Sequence, residues 1–98
     1  MARRKEILNE AHLRKRVRET HGVVRKMAWP GRRGAPDDFV GWPHKSRFAL
    51  VELKEETQGW ALQPHQAREH QVLMACGVPV VVLRSIAEID AWVERMTK

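Results

Sequence analysis

Two acids and a lysine have the residue types and spacing for hydrolytic chemistry. Asp37 follows a proline, and Glu52 and Lys54 flank Leu53 at the end of the run RFALVELK, Arg47 to Lys54. In a β-strand, side chains at i and i+2 share a face. Phe48, Leu50, Glu52 and Lys54 therefore project together, and Ala49, Val51 and Leu53 project oppositely. Both faces are largely apolar, which predicts a strand covered on both sides. An acid and a lysine at the end of such a strand are costly to bury unless they are paired or bound to something. A metal ion facing a phosphate is one such partner. Hydrolysing a phosphodiester needs charge neutralisation on the phosphate and an activated water, and Mg²⁺ or Mn²⁺ supplies both. Hard cations take carboxylate oxygens and keep several waters, so Asp37, Glu52 and the main-chain carbonyl of Leu53 suffice as ligands. Lys54 would orient the water or steady developing negative charge. Gln66 would fix that lysine or the water by hydrogen bonds, completing a catalytic set of Asp37, Glu52, Lys54 and Gln66. Glu10 is a candidate outer metal ligand.

These residues need elements to position them. Arg3 to about Thr20 reads as a helix with Gly22 as its C-terminal cap. Glu6, Glu10, Leu13 and Val17 fall on one face of a 3.6-residue period. Strands are expected over Val23 to Trp29, Asp37 to Trp42 and Arg47 to Lys54. A loop from Pro30 to Pro36 joins the first two, and its Arg32 and Arg33, with Lys26 nearby, suit phosphate contact. A turn at Pro43 to Ser46 joins the second and third. Glu55 to Leu62 is a polar loop. Pro64 suits the first turn of a helix that runs to about Cys76, before Gly77. Pro79 to Leu83 is a fourth strand. Ser85 followed by Glu88 is a capping-box pattern that opens a last helix, with Ile86, Ile89, Val93 and Met96 on its packing face. The helix between strands three and four makes them expected parallel neighbours.

The chain has 98 residues, a formal charge of +6 and a pI near 10.3. That length predicts one domain over 1–98, and the basic surplus favours an acidic partner, above all nucleic acid. The lone Cys76 has no internal disulfide partner, which fits a reducing, cytoplasmic compartment, and its helical position predicts packing rather than reactivity. The basic N-terminus lacks the apolar region of a secretory signal. The apolar run from Val78 to Leu83 is too short to span a membrane. No histidine has metal-ligand spacing with a cysteine, which argues against a structural zinc site. His65 and His70 flank the proposed site and read as surface or boundary residues. Trp60 could stack on an unpaired base but more often such a residue covers an apolar edge or a partner chain. Trp92 reads as core or dimer interface. Not all of Trp29, Trp42, Trp60 and Trp92 are expected to be buried in so small a core, so some should lie against a partner.

Taken singly, the P-D and E-x-K patterns are weak. Their order is specific: Gly34-x-Pro36-Asp37, a hairpin, Glu52-Leu53-Lys54 ending a buried strand, then Gln66 opening a helix. That order resembles the PD-(D/E)xK nuclease superfamily and, more narrowly, a stand-alone VRR-NUC domain, the virus-type replication-repair nuclease. The resemblance also covers Glu10, Leu13, Val17, Gly22, Lys26, Pro30-Gly31 and Gly77-x-Pro79-Val80. It implies an α/β, restriction-endonuclease-like αβββαβ core with a mixed central sheet flanked by helices. It implies Mg²⁺ or Mn²⁺ as cofactor. It further implies a structure-selective DNA endonuclease similar to dimeric Holliday-junction resolvases, acting on a four-way junction or flap as a homodimer. The match favours Glu10 over Glu6 and Asp37 over Asp38, and strand alternation turns Asp38 to the opposite face. The chain departs from the pattern at His21, where the family has a second glycine beside Gly22. It also departs after Lys54, where Glu55-Glu56 replace a small, basic loop. The rival is a non-catalytic or flap- and single-strand-directed nucleic-acid-binding module on the same fold. An inactive relative is expected to lose an acid or the lysine, and none is missing here. A chain of this size leaves little surface for reading bases in a groove.

Overall fold

The computed structural model describes residues 2–54 and 62–98, with side chains in the first helix from Ile7 onward. The elements are α1 (Ala2–Glu19), β1 (Val23–Lys26), β2 (Asp38–Trp42), a 3₁₀ turn (Pro43–Lys45), β3 (Arg47–Leu53), α2 (Pro64–Ala75), β4 (Val80–Leu83) and α3 (Ile86–Thr97). The sheet order is β1-β2-β3-β4, with β1/β2 and β2/β3 antiparallel and β3/β4 parallel. This is the expected α/β, restriction-endonuclease-like arrangement with a mixed sheet. The helical crossover between β3 and β4 accounts for the parallel pair.

The core lies on one sheet face. Val40, Trp42, Ala49, Val51, Leu53 and Leu83 meet Leu13 and Val17 of α1 and Ile89, Trp92 and Val93 of α3 there. Trp42 and Trp92 pack edge to face with ring centroids 5.4 Å apart. Both are core residues, Trp29 is half-buried with its Nε1–H donating to Pro36 O (2.9 Å), and Trp60 lies outside the described residues. The described tryptophans therefore give no argument for a covered partner surface. The opposite face is less apolar than expected. β3 is buried from Ala49 to Leu53, but Arg47 and Phe48 are exposed, and α2 covers this face with Glu69 and His70 as its buried residues. Cys76 is exposed rather than packed, because it caps α2 as the chain turns away.

The strand boundaries are shorter than the sequence suggests. β1 ends at Lys26, and after the Met27 N–H donates to Asp37 O (2.8 Å) the chain leaves the ladder for the Trp29–Pro36 loop. Ser85 caps α3 as expected, its Oγ accepting from Glu88 N–H at 3.1 Å, while Glu88 Oε1 accepts from Arg84 N–H at 2.7 Å.

The end of α1 separates two jobs that the sequence assigned to Gly22 alone. Gly22 N–H donates to Val17 O (2.8 Å) and His21 N–H to Arg18 O (3.0 Å), the paired bonds of a Schellman ending. The residue in the left-handed conformation is His21, at φ 67°. Gly22 is required by space: a Cβ there would lie 2.7 Å from Val17 Cγ1, 2.8 Å from Trp42 Nε1 and 2.9 Å from Gly41 O. Gly22→Ala is therefore expected to lower stability by about 2–3 kcal/mol through forced displacement of a packed helix end. His21→Gly is expected to raise it by up to about 1 kcal/mol by relieving the left-handed Cβ strain. Urea denaturation of the two variants checks both signs.

Candidate functional site

Register and pleat bring the two expected acids together. Asp38 pairs with Lys26 on one side and Val51 on the other. One antiparallel step further sets Asp37 opposite Glu52, and alternation turns both to the face away from the α1/α3 core. Glu52 is buried, at 5% exposure, whereas Asp37 is exposed. The ladder carries on past β3, since Lys54 N–H donates to Leu83 O at 3.0 Å, so Lys54 joins Glu52 on that face.

α2 supplies the next shell. Lys54 Nζ donates to Gln66 Oε1 at 3.3 Å, and the same oxygen accepts from the Gln63 N–H at 3.0 Å. Gln63 is the N-cap of α2, and its side chain accepts from the Gln66 N–H, closing a capping box. The lysine is thus held by a side chain that the helix start itself immobilises. Gln63 lacks the usual Ser or Thr signature, so this box could not be read from residue types alone. The loop before Asp37 is pressed on the same helix start. Gly34 has φ 84°, and a Cβ on it would lie 2.8 Å from His65 O and 2.9 Å from Gln66 Cα. Arg32 Nη2 reaches Glu69 Oε1 at 2.6 Å, and this pairing raises the Arg32 pKa above its ordinary value. Arg32 therefore ties the loop to α2, while Arg33 stays exposed.

His70 is a member of this site that sequence reasoning misplaced at the boundary. It is 2% exposed, and its Nε2 lies 3.7 Å from Glu52 Oε1. A ring N–H donates to the Gly34 carbonyl; burial lowers the imidazole pKa, against the opposing pull of that bond and of Asp37 and Glu69. The available signal was spacing, because His70 stands one helical turn after Gln66 on the same face.

A second carboxylate pair occupies the opposite face. Asp38 is fully buried beside Glu10. Arg14 Nη2 lies 3.3 Å from Glu10 and 3.9 Å from Asp38, and Lys26 Nζ lies 3.5 Å and 3.9 Å from the same groups. The structure thus gathers Glu10 and Lys26 around Asp38, not around Asp37 and Glu52. Among the described residues, no three His, Cys, Asp or Glu side chains converge as a metal cage. The side chain of Glu6 and the acids Glu55 and Glu56 lie outside the described residues.

No family model matches the chain. The "Putative nuclease p44" of Acyrthosiphon pisum secondary endosymbiont phage 1 is 42% identical over 76 residues, which is 78% of each chain. A solved structure described as a VRR_NUC domain superposes with a TM-score of 0.80 at 34% identity, over 92% of this chain and 95% of that one. The chain belongs to the VRR-NUC family. Family membership and the relative's name support a nuclease. Among the described residues of this VRR-NUC domain, no helix is long and apolar enough to cross a membrane.

The buried acid of the VRR-NUC domain's second pair makes its stability pH-dependent. Asp38 is pushed up to about 7 from 3.8, first by burial and then by the Glu10 carboxyl, with Lys26 and Arg14 pulling the other way. A carboxyl whose folded pKa is raised stabilises the fold below its unfolded value. That contribution is lost as pH climbs through the folded one. Between about pH 4 and pH 7 the metal-free protein should therefore lose stability from this group. Asp38→Asn, which cannot ionise, is expected to be more stable than wild type at pH 8, on the order of 2 kcal/mol. The advantage should shrink towards pH 5. Thermal melts at the two pH values in chelator check this; an advantage equal at both would show that Asp38 does not titrate there.

Proposed function

We propose that this VRR-NUC domain is a metal-dependent, structure-selective DNA endonuclease that cuts branched DNA, a four-way junction or flap, as a homodimer in the cytoplasm of a bacterial or phage-infected cell. The observation that carries it is the placement of Asp37 opposite Glu52, with Lys54 on the same face and held by Gln66. Asp37 and Glu52, with the Leu53 carbonyl, are the oxygen donors that suit Mg²⁺ or Mn²⁺, hard ions that use one or two carboxylates and keep their remaining waters. A bound ion would supply Lewis-acid neutralisation and a more acidic water.

The protein's own groups do the rest. Burial of Glu52 among packed neighbours fixes its carboxylate, which limits reorganisation when phosphate arrives. Lys54 carries three donors, and one is taken by Gln66, so others are free to meet an oxygen that gains negative charge. The surplus charge of +6 draws the polyanion in. Arg33 is the exposed loop cation for phosphate contact, Arg32 contributes mainly by holding the loop on Glu69, and Lys26 is engaged by Glu10 and Asp38 on the opposite face.

A twofold protein would set two such sites against a twofold junction. Support for a second copy comes from the sheet surface, where Phe39 stacks on Phe48 with centroids 5.6 Å apart and Phe48 remains 42% exposed.

The deciding experiment incubates the protein with Mg²⁺ or Mn²⁺ and linear, flapped and four-way DNA, maps the cuts, and measures mass by light scattering. Paired cuts by a dimer are expected; unpaired nicks by a monomer would overturn the junction and dimer assignments. Asp37→Asn, Glu52→Gln and Lys54→Ala should each reduce cleavage by at least about 100-fold while leaving the fold intact. Any of them cutting at the wild-type rate removes that residue from the mechanism.

The two loop arginines should separate by salt dependence. Arg33→Ala is expected to lower the slope of log affinity against log salt by about one unit, alike for all DNA forms. Arg32→Ala should chiefly lower the melting temperature, because it strands the buried Glu69 carboxylate. An unchanged slope for Arg33→Ala would exclude it as a phosphate contact.

A further inference from the structure

His70 offers a nitrogen that the fold does not use. Its donating nitrogen is Nδ1, since one ring N–H serves the Gly34 carbonyl and Nε2 has no hydrogen-bond partner. Nε2 faces Glu52 Oε1 across 3.7 Å, too far for a hydrogen bond between them. If the ring were there only to fill space, an apolar side chain would do so without the roughly 1–3 kcal/mol cost of a buried, unpaired nitrogen. A buried acceptor held in place at its other end is arranged for a donor that arrives with the ligand. The acids it faces are those suited to a hydrated cation, whose waters are strong donors.

We propose that His70 Nε2 accepts a hydrogen bond from a water of the divalent cation held by Asp37 and Glu52, making α2 the source of an outer-shell positioning residue. This rests on the reading of Asp37 and Glu52 as a cation site. Gly34 then has a further role, because its carbonyl sets the imidazole tautomer and its lack of a Cβ lets the loop approach α2. The Asp37 loop, the Glu52 strand and α2 are thereby joined through one ring.

The test is calorimetric titration of the DNA-free protein with MnCl₂, using wild type, Glu52→Gln, His70→Leu and His70→Gln. ¹⁵N NMR of the wild-type imidazoles during Mg²⁺ addition accompanies it. His70→Leu should bind Mn²⁺ about 10–100-fold more weakly. His70→Gln, which keeps an acceptor oxygen, should recover most of that loss, and the His70 Nε2 resonance should shift on Mg²⁺ binding. Wild-type affinity in a folded His70→Leu, or equal losses in the Leu and Gln variants, would overturn the acceptor role. If His70→Leu does not fold, the resonance decides: an unmoved Nε2 signal at saturating Mg²⁺ overturns the proposal. Unchanged Mn²⁺ binding in Glu52→Gln would instead refute the cation site itself, and this inference with it. Loss in Glu52→Gln beside unchanged binding in His70→Leu refutes the inference alone.

Discussion

Asp38 is paired with Val51, so the carboxylate just before it in the chain falls opposite Glu52. A slip of one residue would exchange the faces of every side chain in β2. Asp37 would then enter the core, and Asp38 would take its place beside Glu52. What prevents the slip is packing on the other side of the sheet. Val40 and Trp42 of β2 and Ala49 and Val51 of β3 are locked against α1 and α3, each at 3% exposure or less. Burying such side chains is worth about 1.5–3 kcal/mol apiece, far more than a single strand hydrogen bond contributes net. Trp42 adds a bond from Nε1–H to Thr20 Oγ1 at 2.9 Å, which ties the register to the end of α1. The chemistry of one face is therefore held in place by the hydrophobic effect on the other.

The Glu52 face is stabilised differently. Its cover, α2, buries Glu69 and His70 rather than an apolar stripe. Three of its polar side chains reach a loop or strand: Glu69 to Arg32, His70 to Gly34, and Gln66 to Lys54. Such contacts add little net stability but are costly to break one at a time. That asymmetry suits a site, because it specifies one arrangement of loop, strand and helix without adding bulk that would bar a ligand.

Two carboxylate pairs stand on opposite faces of one sheet end, and their surroundings give them different characters. Asp38 is buried beside Glu10, and Arg14 and Lys26 offset only part of the cost of its charge. Asp37 is open to solvent beside a buried Glu52, with a tethered lysine near it. The first pair bears on folding, and the second has a member open to solvent.

Much of this followed from local sequence alone. The alternation in Arg47 to Lys54 assigned Glu52 and Lys54 to one face, because the pleat has a period of two wherever a strand forms. The order of Gly34, Pro36, Asp37, Glu52, Lys54 and Gln66 resembled that of the VRR-NUC family, and the helix between β3 and β4 dictated their parallel pairing. Other features depended on which surfaces meet. His70 and Asp38 look like ordinary polar residues until α2 and α1 close over them, since burial is a property of the assembled layers and not of the segment. Glu10 shared a helical stripe with Leu13 and Val17, but helix placement on the sheet, not periodicity, sent it to Asp38. Arg32 and Arg33 are equivalent in sequence; only the approach of the loop to Glu69 made one a tether and left the other exposed. The need for glycine at Gly22 likewise came from contact with Trp42, a residue brought near by the sheet, and no local rule contains that distance.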